Sequence, residues 1–419
     1  MQSSFLRKRA EDVITPQLVK LIHDAAAMQR WNDYPRMVEL TELDKQAHKF
    51  IIAYLLTASE SDIDPLNMIE AGLFEFFRRV VVTDIRPDVF REVIHEKGPA
   101  LNAWVMEQLA PALSHVEAGA FFRRMERYLA DPDYCRRERR LMAAAHYLAT
   151  RWEFQIVYHS SRFLHDVEAL RDSVESEMAR FRDCNGAMEY GLNGNFTKLV
   201  DLNGRLRFQI RWAQTPRLPR TSVLGHVLVV AMMTYFYASG RGFCPRRVAN
   251  NFFCALFHDL PEALTRDIVS PVKRSVPGLD ELILEVEIRK VHAAILPLVP
   301  AAIRTEFLYL MGLYEENGRP RKDEFQTRIF QDGHAVAVPD AGPYNRHEFS
   351  PLDGHAVKAC DDLAAFAEAA ISIGHGIRSR ELMRGMEKLL RKYEGVVVGG
   401  CDMHNVLLTM KTELTQETG

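Results

Sequence analysis

The sequence predicts an all-α protein built from two tandem helical bundles, the first of which lacks a polar cluster that the second contains. Three observations support this prediction. Apolar residues recur at i, i+3, i+4 and i+7 through most of the chain, whereas sustained period-two alternation is rare. The 419 residues exceed the size of one ordinary domain. The two halves of the chain also repeat a set of short segments.

Five helices are predicted most clearly by the apolar periodicity. They are TPQLVKLIHDAAAMQRW, DKQAHKFIIAYLLTA, LNMIEAGLFEFFRRVVV, ALRDSVESEMARF and SRELMRGMEKLLRKY. Gly, Asn and Pro between helices predict turns, as in EYGLNGN. The segment 333–356 is rich in Pro, Gly and His. It is predicted to be a loop over a functional region or a surface excursion.

The repeated segments indicate an old duplication of one helical unit. Three pairs match in the same order: Arg30-Trp31 with Arg211-Trp212, Leu73–Ile85 with Leu256–Ile268, and Ala145–Glu153 with Cys360–Glu368. In addition, His48 precedes the first core helix much as His226 precedes the second. Any one match would be weak, but the shared order favours a repeat. The predicted halves are residues 1–185 and 186–419, which meet in the weakly patterned stretch Asp183–Asn195.

The composition and the charge indicate which kinds of partner and which cellular compartment to expect. The formal net charge of −3 gives no electrostatic reason to expect a nucleic acid or an anionic membrane as partner. The six cysteines form no C-x-x-C pair, which argues against a zinc knuckle or a disulfide framework. The N-terminal residues lack the apolar core of a signal peptide, and no apolar run is long enough for a membrane span. A cytoplasmic setting is the expectation.

A polar cluster follows an apolar helix in the stretch FFCALFHDLPEALTRDIVSPVKR. His258 and Asp259 are adjacent, and Glu262 lies four residues after His258, so these side chains share a face if the helix continues. Pro261 requires a helix end or a kink here. A buried carboxylate or imidazole is costly unless it is paired or bound to a metal. The cluster is therefore a candidate site.

Two further polar residues stand alone in apolar helices, His226 in TSVLGHVLVVAMMTYFYA and Asp361 in AVKACDDLAAFAEAA. Together with His258 and Asp259 they would supply two imidazoles and two carboxylates from three helices, which suits a first-row divalent ion. A lone histidine in an apolar helix is more often a satisfied core residue, and Asp362 competes with Asp361. The first half loses the cluster: Glu75 stands for His258, Phe76 for Asp259, Arg79 for Glu262 and His146 for Asp361, while Asp84 persists opposite Asp267.

These residues carry a family resemblance. The order H…HD…D with an intervening E-x-x-x-x-D resembles the HD-domain metal-dependent phosphohydrolases. The spacing from Arg211-Trp212 to His226, the run HDLPEALTRDIVSPVK and the later VKACDDLAAF make residues 196–380 similar to the YfbR-like 5′-deoxynucleotidases. One departure is Gly225, where that family often has an acid before the first histidine. The departure leaves fine substrate preference open.

The resemblance implies a role for each matching residue. The metal ligands would be His226, His258, Asp259 and Asp361, holding one divalent ion per chain (Mn, Co, Ni, Zn or Fe, with Mg as an alternative). Glu262 would orient or deprotonate the attacking water, and Asp267 would assist at the leaving oxygen or hold the water. For the substrate, Arg211 would grip the phosphate, Trp212 would pack on the sugar and Lys273 would add positive potential.

The implied activity is metal-dependent release of phosphate from deoxynucleoside 5′-monophosphates. Two alternatives stay open: a triphosphohydrolase acting on deoxynucleoside triphosphates, and a non-catalytic nucleotide-binding or scaffold protein. The expected partner is a small nucleotide, with neither nucleic acid nor membrane involved. The first half is expected to pack on the second as a pseudo-dimer within one chain, as a scaffold or as a regulatory unit.

Overall fold

A computed structural model describes residues 14–266, 268, 275–316 and 319–416 of the chain. The predicted all-α class is confirmed, because long helices dominate and the strands form small two-stranded pairs. Helices α1 to α9 are Pro16–Ala27, Glu42–Leu56, Pro65–Val82, Pro87–Leu113, Ala120–Ala130, Arg136–Ser161, Val167–Glu177, Asn185–Leu192 and Gly194–Gly204. Helices α10 to α17 are Val223–Ala238, Pro245–Phe257, Glu262–Thr265, Leu279–Lys290, Arg304–Leu310, Gly354–Gly374, Arg380–Tyr393 and Met403–Leu414.

The strands form three antiparallel hairpins in the second half. Strand β1 (Leu313–Glu316) pairs with β2 (Arg319–Lys322), β3 (Arg328–Gln331) with β4 (His334–Ala337), and β5 (Val397–Val398) with β6 (Cys401–Asp402). In the second hairpin Arg328 lies opposite Ala337 and Gln331 opposite His334. The five most clearly predicted helices correspond to α1, α2, α3, α7 and α16. Within the described residues, every helix is too short or too polar to span a bilayer.

Helix α10 lies at the centre of the molecule. Every residue from Val223 to Ala238 is buried, so the helix is enclosed on all sides rather than amphipathic. It packs against α2, α11 and α15. A polar residue on such a helix, such as His226, must find its partners among neighbouring helices, because water does not reach it.

The two halves of the chain share one hydrophobic core. Helix α2 of the first half packs against α10, and α3 packs against α11. Aromatic contacts join them: the ring centroids of Phe50 and Phe252 lie 5.2 Å apart, and those of Tyr54 and Phe253 lie 4.9 Å apart. The described parts of the two halves are therefore packed as one body.

Local geometry repeats at equivalent positions of the two halves. Thr41 caps α2 and Ser222 caps α10, each accepting a hydrogen bond from the backbone N–H three residues on. Trp31 and Trp212 both have φ of 57°, a left-handed conformation that is unusual for a bulky side chain. These observations agree with the predicted duplication, which itself remains a prediction.

Gly225 has a structural explanation at the crossing of α2 and α10. A Cβ atom at this position would lie 2.9 Å from Oδ1 of Asp44 and 3.0 Å from Cδ2 of Leu43. Asp44 Oδ1 instead accepts a hydrogen bond of 2.5 Å from the Ser222 hydroxyl. The first half thus places a carboxylate where a larger residue at 225 would project.

Part of the segment 333–356 is not the predicted loop. Its first residues form β4, and its last residues begin α15. The turn from β3 to β4 contains Asp332 and Gly333, both with positive φ, as expected of an Asp-Gly hairpin turn. The stretch between β4 and α15 packs on α11 through an ion pair between Arg247 and Asp353.

Candidate metal centre

Three elements bring the predicted metal ligands together. His226 lies in the first turn and a half of α10, His258 and Asp259 follow the end of α11, and Asp361 lies in α15. The chain turns at residues 258–261 before α12 begins at Glu262. His258 and Glu262 therefore do not lie on one continuous helix, and Pro261 lies at the helix boundary, as its chemistry requires.

Both histidines point one ring nitrogen into the cluster. Nδ1 of His258 donates to the carbonyl oxygen of Ala255 at 2.7 Å, and its Nε2 is buried without a hydrogen-bond partner. Nδ1 of His226 lies 3.2 Å from Oε1 of Glu368, so that Nε2 faces Asp361 Oδ1 at 2.9 Å. An imidazole held through Nδ1 with Nε2 directed inward is typical of a metal ligand.

The spacing of the ligand atoms of His226, His258 and Asp259 fits a single divalent ion. Possible ligand atoms of His226, His258 and Asp259 all lie within 4.8 Å of one another. Asp361 Oδ1 lies 4.0 Å from Nε2 of His258, and Asp259 Oδ2 lies 3.3 Å from the same nitrogen. Ligands about 2.0–2.2 Å from one ion are separated by up to about 4.4 Å. These three residues can therefore hold a metal after small side-chain movements, and Asp361, which lies outside this group of three, would have to move closer to act as a fourth ligand.

Asp361, and not its neighbour Asp362, faces the histidines. The Asp362 carboxylate accepts a hydrogen bond of 2.8 Å from the Tyr393 hydroxyl and pairs with Lys392, so it ties α15 to α16. Asp361 has a second contact on its outer oxygen, because Lys358 Nζ lies 2.6 Å from Oδ2. The structure therefore places Asp361, and not Asp362, beside the histidines.

Both carboxylates are held in the charged form. Burial alone would raise the pKa of Asp361, but Lys358 first and His226 next outweigh it, so the pKa lies well below its ordinary value. Burial likewise opposes ionisation of Asp259, whose pKa is lowered by His258 and Arg211. Burial would lower the pKa of His258, but Asp259 and Asp361 together outweigh it, so the pKa is raised. The cluster presents two anionic oxygens to a cation.

Arg211 and Trp212 converge on Glu368, a fully buried acid on α15. Arg211 lies between two carboxylates, with NH1 3.7 Å from Asp259 Oδ2 and Nε 3.6 Å from Glu368 Oε2. Trp212 donates its indole N–H to Glu368 Oε2 at 2.9 Å, and its ring packs close to Gly385 on α16. Trp212 therefore braces Glu368, and its contact with a sugar remains a prediction.

Glu368 and Lys358 are candidate functional residues that the sequence interpretation missed. Glu368 accepts hydrogen bonds from Trp212 and from the Thr221 hydroxyl, the latter at 2.7 Å, and holds His226. Glu368 could have been found from the sequence, because it is the last residue of the third repeated segment and matches Glu153 in the first half. Lys358 lies in the VKACDD stretch, three residues before Asp361 on one helix face.

The remaining predicted site residues are Glu262, Asp267 and Lys273. Glu262 is half-buried at the start of α12, and the side chain of Gln209 donates to its backbone oxygen at 2.9 Å. Asp267 and Lys273 lie outside the described residues. Their roles at the leaving oxygen and at the phosphate stay predictions.

Comparison with known proteins agrees with the position of this cluster. No curated protein sequence matches the chain. Residues 203–390, which include His226, His258, Asp259 and Asp361, match the family model of the HD domain. The part of the chain that contains the candidate metal centre is thus similar to an HD domain.

Proposed function

We propose that the protein is a metal-dependent phosphohydrolase that removes the 5′-phosphate from deoxynucleoside monophosphates. One observation supports this above all: the Nε2 atoms of two buried histidines converge with two ionised carboxylates from separate elements. The match to the HD domain supports the general class of reaction. The choice of a deoxynucleoside monophosphate as substrate comes from the resemblance to the YfbR-like enzymes.

His226, His258, Asp259 and Asp361 would hold the ion. A divalent ion in this position offsets charge on phosphate oxygens and lowers the pKa of a bound water. The surrounding protein is suited to keeping the ligands oriented, because Glu368 and the Ala255 carbonyl fix the outer nitrogens of the two histidines.

Arg211 and Glu262 have complementary tasks in this proposal. Burial opposes the charge on Arg211, but Glu368 and Asp259 outweigh it, so its pKa is raised and the guanidinium stays charged. It can bind a phosphate through two donors. Glu262, three residues after Asp259, would accept the proton of the attacking water.

Turnover of deoxynucleoside monophosphates in the presence of Mn²⁺, Co²⁺, Ni²⁺, Mg²⁺ or Zn²⁺ tests the proposal. We expect inorganic phosphate as product, and at least a hundredfold loss of kcat/KM in Asp361→Asn. Asp362→Asn is the matched control, because the neighbouring acid faces α16, and it should retain most activity. Absence of turnover with every ion would contradict the proposal, and release of triphosphate from deoxynucleoside triphosphates would favour the alternative substrate.

A further inference from the structure

An aromatic side chain lies beside the candidate metal centre, on the turn of residues 323–327 that joins β2 to β3. The ring centroid of Phe325 lies 5.8 Å from that of His258, and the Nζ atom of Lys358 lies 4.8 Å from the same Phe325 centroid. Lys358 in turn pairs with Asp361. Phe325 therefore packs beside residues from two of the elements that supply the predicted metal ligands.

A buried arginine fixes the shape of this turn. Arg328 is 2% exposed, and its guanidinium donates hydrogen bonds to the carbonyl oxygens of Glu324 at 3.1 Å and Gln326 at 2.8 Å, on either side of Phe325. The same group donates to the Tyr309 carbonyl at 2.8 Å, which ties the turn to α14. A buried charged donor is costly to leave unpaired, so these bonds favour one backbone course for the turn.

The turn is also packed against both of the helices next to the metal centre. The thiol of Cys254, one turn before His258, donates to the Glu324 carbonyl at 3.4 Å. At the start of α15, a Cβ atom at Gly354 would overlap the backbone of Phe325, so the two backbones are in close contact. The position of the Phe325 ring relative to the predicted ligands is therefore set by α11 and α15 together.

Phe325 offers an apolar surface in a region that is otherwise charged. Its side chain is only partly buried, so part of the ring is open to a bound molecule. Trp212, the aromatic residue predicted to contact the sugar, is engaged by Glu368 and packs close to Gly385. An aromatic ring can stack on any nucleobase, because every base has a π-face. In a nucleotide, only the sugar separates this base from the phosphate that the metal centre would hold.

We propose that Phe325 is a specificity-determining residue, which stacks on the base of a nucleotide whose phosphate is held at the metal centre. The inference deepens the proposed function and rests on it for the class of substrate. Stacking requires no hydrogen bonds to the edges of the base, so all four deoxynucleoside monophosphates should be accepted. Phosphomonoesters that lack a planar ring should bind less tightly.

Calorimetric titration of the Mn²⁺-loaded full-length chain tests the inference. Every protein in the test carries Glu262→Gln, which removes the predicted proton acceptor so that the probe is not consumed. The probes are deoxyadenosine 5′-monophosphate and 2-deoxyribose 5-phosphate, which lacks the base. Phe325→Ala should weaken binding of the nucleotide about tenfold and change binding of the sugar phosphate by less than about twofold. Phe325→Tyr keeps the ring and should restore the affinity for the nucleotide.

Phe349→Ala is the matched control. Phe349 is also partly buried, but its ring packs on Tyr344, with the centroids 5.3 Å apart. This variant should keep the affinity for both probes, and melting curves of all variants report folding. An equal loss of both probes in Phe325→Ala would show that the ring only supports His258. That result, unchanged nucleotide affinity in Phe325→Ala, or no nucleotide binding to the parent chain would each overturn the inference.

Phosphate release by the metal-loaded wild-type protein is measured separately, which distinguishes the two proposals. Release of phosphate together with unchanged nucleotide affinity in Phe325→Ala contradicts the inference alone. Nucleotide binding that depends on Phe325, without release of phosphate by the wild type, contradicts the proposed function alone.

Discussion

At the scale of single residues, the candidate site depends on one acid, Glu368, that is not a predicted metal ligand. Glu368 joins three groups, because it accepts from Trp212 and Thr221 and orients His226. Burial would raise its pKa, but Arg217 and Arg211 outweigh burial and hold the pKa well below its ordinary value. A charged acid behind a ligand histidine fixes the ring orientation and increases its basicity.

Glu368→Gln should therefore weaken metal binding by about 10- to 100-fold. The amide can still accept hydrogen bonds, but it no longer carries the charge that favours metal binding at His226. Metal titration followed by activity measures the effect, and excess metal should restore turnover. Glu153→Gln is the control from the first half, and it should keep wild-type metal affinity. Equal metal affinity in Glu368→Gln and wild type would contradict this role.

Glu42 gives the first half a pH-dependent stability. Burial would raise its pKa, but Arg30, Lys45 and Arg79 outweigh it and lower the pKa from 4.5 to about 2. A lowered folded-state pKa means that the stabilisation is present above pH 4.5 and is lost as the pH falls towards about 2. The loss should reach about 3 kcal/mol.

Denaturant unfolding of wild type and Glu42→Gln between pH 7 and pH 2.5 measures this contribution. The variant should be less stable at neutral pH, and the difference in unfolding free energy should shrink as the solution is acidified. A difference that stays constant over this range would show that the ionisation of Glu42 does not contribute.

At the scale of helices, the crossing of α2 and α10 links the two halves. Gly225 permits the close approach of Asp44 and Leu43, and the Asp44 carboxylate bonds to the cap residue Ser222. A methyl group at 225 would have to displace one of these side chains. Gly225 therefore belongs to the interface between the halves rather than to a missing part of the active site.

Gly225→Ala should destabilise the protein by about 1–3 kcal/mol, because it overpacks this crossing. Asp44→Gly combined with Gly225→Ala should recover part of the loss, since the two sites are in contact. Gly191→Ala is the control, because its nearest neighbour is 3.9 Å away on a flexible methionine, and it should be neutral or stabilising. Denaturant unfolding measures the free energies. If the effects of Gly225→Ala and Asp44→Gly on the unfolding free energy were strictly additive, the contact between the two sites would be refuted.

The helices could be predicted from sequence because each has a local cause. The cap residues Thr15 and Thr41 and the apolar period of 3.6 act within a few residues. Pro261 indicates a break in the helix near residues 258–261. The length of this turn depends on tertiary packing, which cannot be read from the sequence. The short hairpins were missed because strands of two or four residues show too little alternation.

The same contrast applies to the candidate site. The ligand residues could be singled out because polar side chains are conspicuous in apolar helices, as with His226 in α10. The partners of these ligands come from distant parts of the chain: Glu368 is 142 residues from His226.

At the scale of the whole molecule, helix α2 of the first half covers apolar side chains of the second half that would otherwise face water. Phe252, Phe253 and Phe257 of α11 lie against Phe50 and Tyr54 of α2. The hydroxyl of Tyr235 also donates across the halves to Glu70 at 2.7 Å. A chain cut between the halves would expose this apolar surface to water.

Residues 186–419 expressed alone should therefore be aggregated or poorly folded, and should regain activity when they are co-expressed with residues 1–185. Size-exclusion chromatography and turnover measure these properties. A soluble, monomeric and fully active fragment would contradict the pseudo-dimer hypothesis.

The central claim is that the chain holds one metal ion, and that it lies in the second half. The direct measurement is elemental analysis by plasma mass spectrometry of full-length protein dialysed against Mn²⁺ and then against metal-free buffer. One ion per chain in wild type, and close to none in His258→Ala/Asp259→Ala, is the result we predict. The claim is contradicted by wild-type protein that retains no ion, by a variant that keeps its ion, or by two ions per chain.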